Sequence, residues 1–318
     1  KTIPLQDKKQ AIARLISAAE NAPEENKSDL DKIRKISAVS KTPVLGITGT
    51  GGAGKSSLVD ELIRRFLMAT DESKIAIVSV DPSKRKTGGA LLGDRTRTIF
   101  PIKDKRLYFR SQASQQDLGG LSKQTFHVTR LLRKLFDIII IETVGIGQNE
   151  IEIQKLSDHT CLVMQPLAGD QVQFMKAGIM EVPNTFIINK CDEDTLAKKS
   201  LHLLRSSLKL AQIYVHNSAS GNTQTQSARD IFLTSAIKKK GVDKLAHYIL
   251  DVSQSAVSAE IVKKQEAYFL NKWIRYAYGE FGLSIYQHLN GDEILKNGTF
   301  EEKELKFKHL IGQFLTHL

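Results

Sequence analysis

The run Gly49-Thr50-Gly51-Gly52-Ala53-Gly54-Lys55-Ser56 constrains the fold of this chain more than any other feature. It follows the apolar stretch Val44 to Thr48 and precedes Leu58-Val59-Asp60-Glu61-Leu62-Ile63, so it lies where a strand passes into a helix. Glycines let such a loop curl with its backbone N–H groups pointing inward, and the N-terminus of the next helix adds positive potential. That cradle suits phosphate oxygens. Lys55 would bridge the outer phosphates and Ser56 would offer a hydroxyl to Mg²⁺; the competing reading is a glycine-rich turn with an incidental lysine.

The flanks favour the phosphate loop, or P-loop. From Pro43 onward, short runs rich in valine and isoleucine alternate with helical segments. This pattern predicts an α/β P-loop NTPase: a mostly parallel sheet flanked by helices, with helical N- and C-terminal extensions. Strands are expected at Val44 to Thr48, Lys74 to Asp81, Arg106 to Arg110, Asp137 to Glu142, Thr160 to Gln165, Asn184 to Asn189 and Ile231 to Thr234. Helices are expected at Lys55 to Met68, Leu121 to Leu135, Gln171 to Glu181, Asp192 to Leu208 and Val242 to Asp251. Residues 1–40, with an amphipathic stretch at Ala11 to Ala19, read as a helical extension, 41–253 as the nucleotide domain and 254–318 as a second helical segment. His216 to Ser227 reads as an exposed loop.

Further chemistry follows from strand ends. Asp137 to Glu142 is an apolar run ending in a carboxylate, then Thr143-Val144-Gly145, where P-loop proteins hold Mg²⁺ and sense the γ-phosphate. Glu142 is therefore a metal and catalytic candidate, and Gly145 a γ-phosphate contact. Asp81 ends another strand, and Asp94 stands in Leu91-Leu92-Gly93-Asp94-Arg95. Magnesium tolerates few direct protein ligands, so one or two of Asp81, Asp94 and Glu142 would touch it. On spacing alone Asp94 reads equally as a solvated loop acid.

Asn189-Lys190-Cys191-Asp192 follows the apolar Thr185 to Ile188. A carboxylate at Asp192 can accept from both N1–H and the exocyclic amine of guanine, a donor pair that adenine lacks. Lys190 would lay its stem on the ring. Ser235 and Ala236, after the last strand, fit a loop touching the guanine carbonyl, and also fit an ordinary turn. The nucleotide contacts expected are thus Gly51, Gly52, Ala53, Gly54, Lys55, Ser56, Ser57, Gly145, Asn189, Lys190, Asp192, Ser235 and Ala236. The metal ligands expected are Ser56, Asp81, Asp94 and Glu142, with Lys55, Asp94 and Glu142 serving catalysis; GTP or GDP with Mg²⁺ are the cofactors.

Composition narrows the classes. The apolar runs fall short of the roughly 20 residues that span a bilayer, and no secretory signal pattern opens the chain. This predicts a cytoplasmic protein, or a mitochondrial matrix one if eukaryotic and processed. The chain begins at Lys1, which leaves a trimmed or excised piece of something longer as one reading. A net charge of +11 would suit an acidic partner, but the charges are scattered and lack aromatic interleaving, which argues against nucleic acid. Cys161 and Cys191 read as reduced, buried thiols.

Several segments together resemble the MeaB/ArgK-type GTPases that chaperone adenosylcobalamin-dependent acyl-CoA mutases. They are Asp81-Pro82-Ser83, Thr87 to Asp94, Leu118-Gly119-Gly120, Glu142 to Gln148, and Gly169-Asp170-Gln171-Val172-Gln173. The resemblance implies that Lys55, Ser56, Asp81, Asp94 and Glu142 form the nucleotide and magnesium site, and that Gly169 to Lys176 is a third switch reporting to the mutase. It also implies a homodimer joined through the C-terminal helices, and GTP-gated loading and protection of a methylmalonyl-CoA or isobutyryl-CoA mutase.

The glycine-rich loop and Lys84-Arg85-Lys86 look closer to the GTPase domain of fused isobutyryl-CoA mutases, whereas the Gly169 switch and helical ends look closer to stand-alone chaperones. Gln171 and Val172 stand where the family has Glu and Leu. Gln148 lies beside the γ-phosphate sensor without an assigned duty. A nickel-delivery GTPase would need a histidine-rich tract or paired cysteines, and the eight histidines are dispersed. An ATP-dependent kinase is opposed by Asp192.

Overall fold

All seven apolar runs form strands of one parallel sheet in the computed structural model, which describes residues 10, 12–14, 16–17, 42–81, 104–113, 121, 123–143, 149–166, 183–218, 229–255, 257–295 and 297–316. The strands are β1 (Val44–Gly49), β2 (Ile75–Asp81), β3 (Leu107–Ala113), β4 (Ile138–Thr143), β5 (His159–Met164), β6 (Thr185–Ile188) and β7 (Asp230–Leu233), in the order β3-β2-β4-β1-β5-β6-β7. Every residue of β1, β4, β5 and β6 is buried, as expected of strands covered on both faces. The edge strand β7 is partly exposed.

The helices of this part are α1 (Lys55–Ala69), α2 (Lys123–Leu132), α3 (Asn149–Leu156), α4 (Asp194–Ser218) and α5 (Val242–Ser255). One face of the sheet, presenting Leu45, Ile47, Ile77, Ile140 and Val163, packs on Leu58, Leu62 and Phe66 of α1 and on Leu245 and Ile249 of α5. On the other face Leu162, Met164, Phe186 and Ile188 meet Ala197 and Leu204 of α4. Gly46 lets α3 approach β1: a Cβ there would lie 2.7 Å from Ser157 Oγ and 2.9 Å from Ile153 Cγ1.

A polar clamp closes the end of the sheet where β1 begins. Arg133 donates to both carboxylate oxygens of Asp158 at 2.9 and 2.8 Å and to the Thr42 carbonyl at 3.0 Å. Asp158 also accepts from the Val44 amide at 2.8 Å. The pair is buried, so the accompanying hydrogen bonds are what offset the cost of taking two charges from water.

Two expectations are corrected. The segment 149–156, to which no element was assigned, is the helix α3. The helix expected to end at Leu208 continues through Ser218 and so takes in His216 to Ser218, where a loop was expected; no glycine or proline interrupts the chain between Asp194 and Gly221, and 219–227 lie outside the described residues. The helix expected at 171–181 lies outside the described residues.

The chain divides into two compact units, 1–257 and 258–318. The second holds α6 (Ala259–His288), α7 (Gly291–Ile294) and α8 (Phe300–Thr316), and an aromatic cluster joins α6 to α8. The Phe307 ring lies edge-on to Trp273, Tyr278 and Tyr286 at centroid distances of 6.1, 5.8 and 5.9 Å. Ser258 caps α6 by accepting from the Ile261 amide at 3.1 Å, and Gly279, at φ 65°, kinks the helix.

Candidate functional site

The central strand β1 has β4 on one side and β5 on the other, and ligands of such sheets bind outside the carboxyl ends of the strands. The glycine-rich loop leaves β1 at that end. Gly49 has φ +142°, and a Cβ on it would lie 1.8 Å from the Val163 carbonyl oxygen, so only glycine lets the chain turn here against β5. Gly54, left-handed at φ 79°, is the residue before α1. Between them Ala53 N–H donates to the Thr50 carbonyl at 3.2 Å. Gly51, Gly52 and Ser57 face solvent, whereas Ala53 and Lys55 are buried.

Lys55 is drawn back over this loop. Its ammonium donates to the carbonyls of Gly49 at 2.9 Å and Thr50 at 2.8 Å. One residue on, Ser56 donates its hydroxyl to Glu142 Oε1 at 2.7 Å, joining the start of α1 to the end of β4. Glu142 is buried. Beside it, Thr143 donates to Thr48 Oγ1 at 2.9 Å and ties the ends of β4 and β1 together. A hydroxyl and a carboxylate in contact are hard oxygen donors of the type Mg²⁺ takes, so the residues fit that ion.

Asn189 occupies the centre of the other half. Its side chain donates to the Ala53 carbonyl at 2.9 Å and the Gly54 carbonyl at 3.3 Å. Its Oδ1 accepts from Thr234 Oγ1 at 3.1 Å and the Ala236 amide at 3.2 Å. One buried side chain thus couples the glycine-rich loop to the turn after β7. Lys190, with φ 62°, extends outward and donates to Gln165 Oε1 at 3.3 Å. Asp192 accepts from Ser235 Oγ at 2.5 Å, which leaves the rest of its carboxylate facing solvent.

The Lys238-Lys239-Lys240 cluster folds back onto the same loop. The Lys238 amide donates to Ser235 Oγ at 3.0 Å and its ammonium to the Asp192 carbonyl at 3.0 Å. Lys240 pairs with Asp194 at 2.5 Å, which holds the Asp194 carboxyl below its ordinary value. The sequence reading assigned these lysines no part in the site; their position just after Ser235 is the one signal the sequence offers.

The remaining expected residues divide simply. Asp81 ends β2, and only its backbone is described. Asp94, Gly145, Gln148 and the segment 169–176 lie outside the described residues. Both cysteines are free and buried, and burial pushes the Cys161 thiol up to about 12. Among the described residues, no helix is long and apolar enough to cross a membrane.

Comparison with known proteins follows the same line. The family model described as "Methylmalonyl Co-A mutase-associated GTPase MeaB" matches residues 12–279. A fused isobutyryl-CoA mutase from Geobacillus kaustophilus is 46% identical over 188 residues, 57% of this chain and 17% of that protein. The GTPase ArgK of Escherichia coli is 30% identical over 236 residues, 73% of this chain and 67% of that one. Two archaeal relatives are matched over 58% and 56% of their length, so the chain spans less than two thirds of several curated relatives. A solved structure described as a LAO/AO transport system kinase superposes with a TM-score of 0.58 at 21% identity, over 97% of this chain and 95% of that one, and shares the fold.

Proposed function

The chain belongs to the MeaB family of methylmalonyl-CoA mutase-associated GTPases, and from that membership we propose that it binds GTP at the site built on Gly51 to Ser57, hydrolyses it, and couples its nucleotide state to an acyl-CoA mutase. The observation that carries this reading is the Asn189 side chain, which joins the phosphate cradle at Ala53 and Gly54 to the base-reading turn at Thr234 and Ala236. A nucleotide spanning both is bound as one rigid object.

In this mechanism the backbone amides of Gly51 to Ser57 take the phosphate oxygens, the Ala53 amide leaving the Thr50 carbonyl to do so, and Lys55 turns from the Gly49 and Thr50 carbonyls towards the outer phosphates. Ser56 and Glu142 would hold Mg²⁺, with Asp81 and Asp94 as the further carboxylates available to it. When bound, that ion neutralises charge building on the phosphate oxygens. Gly145 senses the γ-phosphate. At the other end Asp192, held by Ser235, accepts from guanine, the Ala236 amide meets its carbonyl, and Lys190 covers the ring. The Asp81 side chain, Asp94 and Gly145 enter on sequence alone.

The coupling reading rests on family membership, on the fused isobutyryl-CoA mutase relative, and on 35% identity over 172 residues to a mitochondrial methylmalonic aciduria type A homolog from Caenorhabditis briggsae. Segment 169–176 would report the nucleotide state, residues 254–318 would form a homodimerisation arm, and the partner would be an adenosylcobalamin-dependent mutase whose cofactor loading and protection are gated. GTP turnover, measured with and without such a mutase from the same source, tests this. Turnover should be slow alone, of the order of 10⁻³ s⁻¹, and at least tenfold faster with the mutase. Unchanged turnover would defeat the coupling and leave the nucleotide chemistry standing.

A further inference from the structure

Helix α4 carries a row of leucines that faces away from the core. Ala197 and Leu204 turn inward to the sheet and are buried, whereas Leu196, Leu203 and Leu210, recurring every seven residues, are 36%, 47% and 50% exposed. At 100° per residue these three fall within an arc about 40° wide. An arc so narrow matches the seam of a paired helix; a bilayer-binding helix needs a broad apolar face. On the solvent side next to the row, Lys199 stands about 40° round the helix from Leu203, and His202 and Lys209 about 100–120° from it, while Lys198 and Arg205 lie nearly opposite; all five are exposed. Asp194 is the sole acid on the helix and is already paired with Lys240.

We propose that this face of α4 is a docking surface for an acidic amphipathic helix of a partner protein. Leucine at heptad spacing offers holes for apolar knobs, and the cationic flank selects glutamate or aspartate beside them. Charge decides against a second copy of this chain: two α4 helices side by side would set lysine and arginine against lysine and arginine. The surface is independent of the nucleotide reading, since it uses none of the residues around Lys55 or Asn189.

The probe is a labelled 21-residue peptide with leucine at heptad a and d positions and glutamate at e and g, which repels itself. Its partner control has lysine at e and g. Anisotropy against the full chain should give micromolar affinity for the glutamate peptide and at least tenfold weaker binding for the lysine one. Leu203→Ser and Lys199→Glu should each weaken the glutamate peptide at least fivefold while GTP affinity and helix content stay unchanged; both side chains are exposed, so the fold is not at stake. Equal binding of the two peptides, or indifference to Leu203→Ser, would overturn the proposal. So would self-association, or binding to vesicles containing phosphatidylserine, that Leu203→Ser abolishes.

Discussion

Replacing Asn189 by alanine removes the side chain that joins the two halves of the site. Three well-formed hydrogen bonds disappear, to Ala53 at 2.9 Å, from Thr234 at 3.1 Å and from Ala236 at 3.2 Å, with a longer one to Gly54 at 3.3 Å. At about 1 kcal/mol net for each of the three, the loss comes to about 3 kcal/mol, and any group left dry and unpaired adds to it. Asn189 is 1% exposed, so water cannot readily replace the bonds. Urea unfolding of the nucleotide-free protein should therefore show about 3 kcal/mol of destabilisation for Asn189→Ala. Asn189→Asp, nearly isosteric, should not rescue: it keeps the accepting oxygen but turns a carboxylate towards the Ala53 and Gly54 carbonyls, where an amide donated. Both variants should lose GTP affinity by at least tenfold, since cradle and turn are no longer held in register. An Asn189→Asp protein as stable as the parent, or an Asn189→Ala cost below about 1 kcal/mol, would refute the reasoning.

Other parts of the fold make equally definite predictions. Asp158→Ala should cost about 3–5 kcal/mol in chemical unfolding, because it strands the buried Arg133 guanidinium, whereas the double change Arg133→Met with Asp158→Leu should cost much less. His159 is held neutral: burial pushes it down to about 4, with Asp230 opposing, while its Nε2 bonds to Thr185 Oγ1 at 2.9 Å. The unfolded chain therefore takes up a proton first, so stability should fall as pH drops from about 6.5 towards about 4, by about 3 kcal/mol at most, and His159→Gln should flatten that slope in unfolding curves measured at successive pH values. Gly49→Ala should fail to give folded protein, as judged by soluble yield and circular dichroism, since its Cβ would overlap the Val163 backbone.

Much of this was legible in the sequence where residue type and spacing encode backbone geometry directly. The glycine and lysine spacing at 49–55 could serve little but a strand-to-helix cradle, and strands buried on both faces read as short, mostly apolar runs, Ile138 to Ile141 the clearest. Short polar elements were not legible. Helix α3 is eight residues, and its three apolar residues, Ile151, Ile153 and Leu156, mix a spacing of two with one of three and establish no helical period. The last ten residues of α4, 209–218, were not legible because Ile213-Tyr214-Val215 is a strand-prone triplet and His216-Asn217-Ser218 suits a loop. Long-range contacts were invisible altogether. That Asn189 reaches Ala53, or that Lys238 folds onto Asp192, depends on β6 lying two strands from β1 and beside β7, a topology that no local pattern spells out.

The central claim is that Asp192, braced by Ser235, makes this P-loop site select guanine. Titration calorimetry with GTP, GDP and ATP on the full chain, with Mg²⁺ present, measures it most directly. The account predicts that GTP and GDP bind at least a hundredfold more tightly than ATP, and that Asp192→Ala removes most of that preference while ATP affinity stays unchanged. Equal affinity for ATP and GTP in the unaltered protein would contradict it.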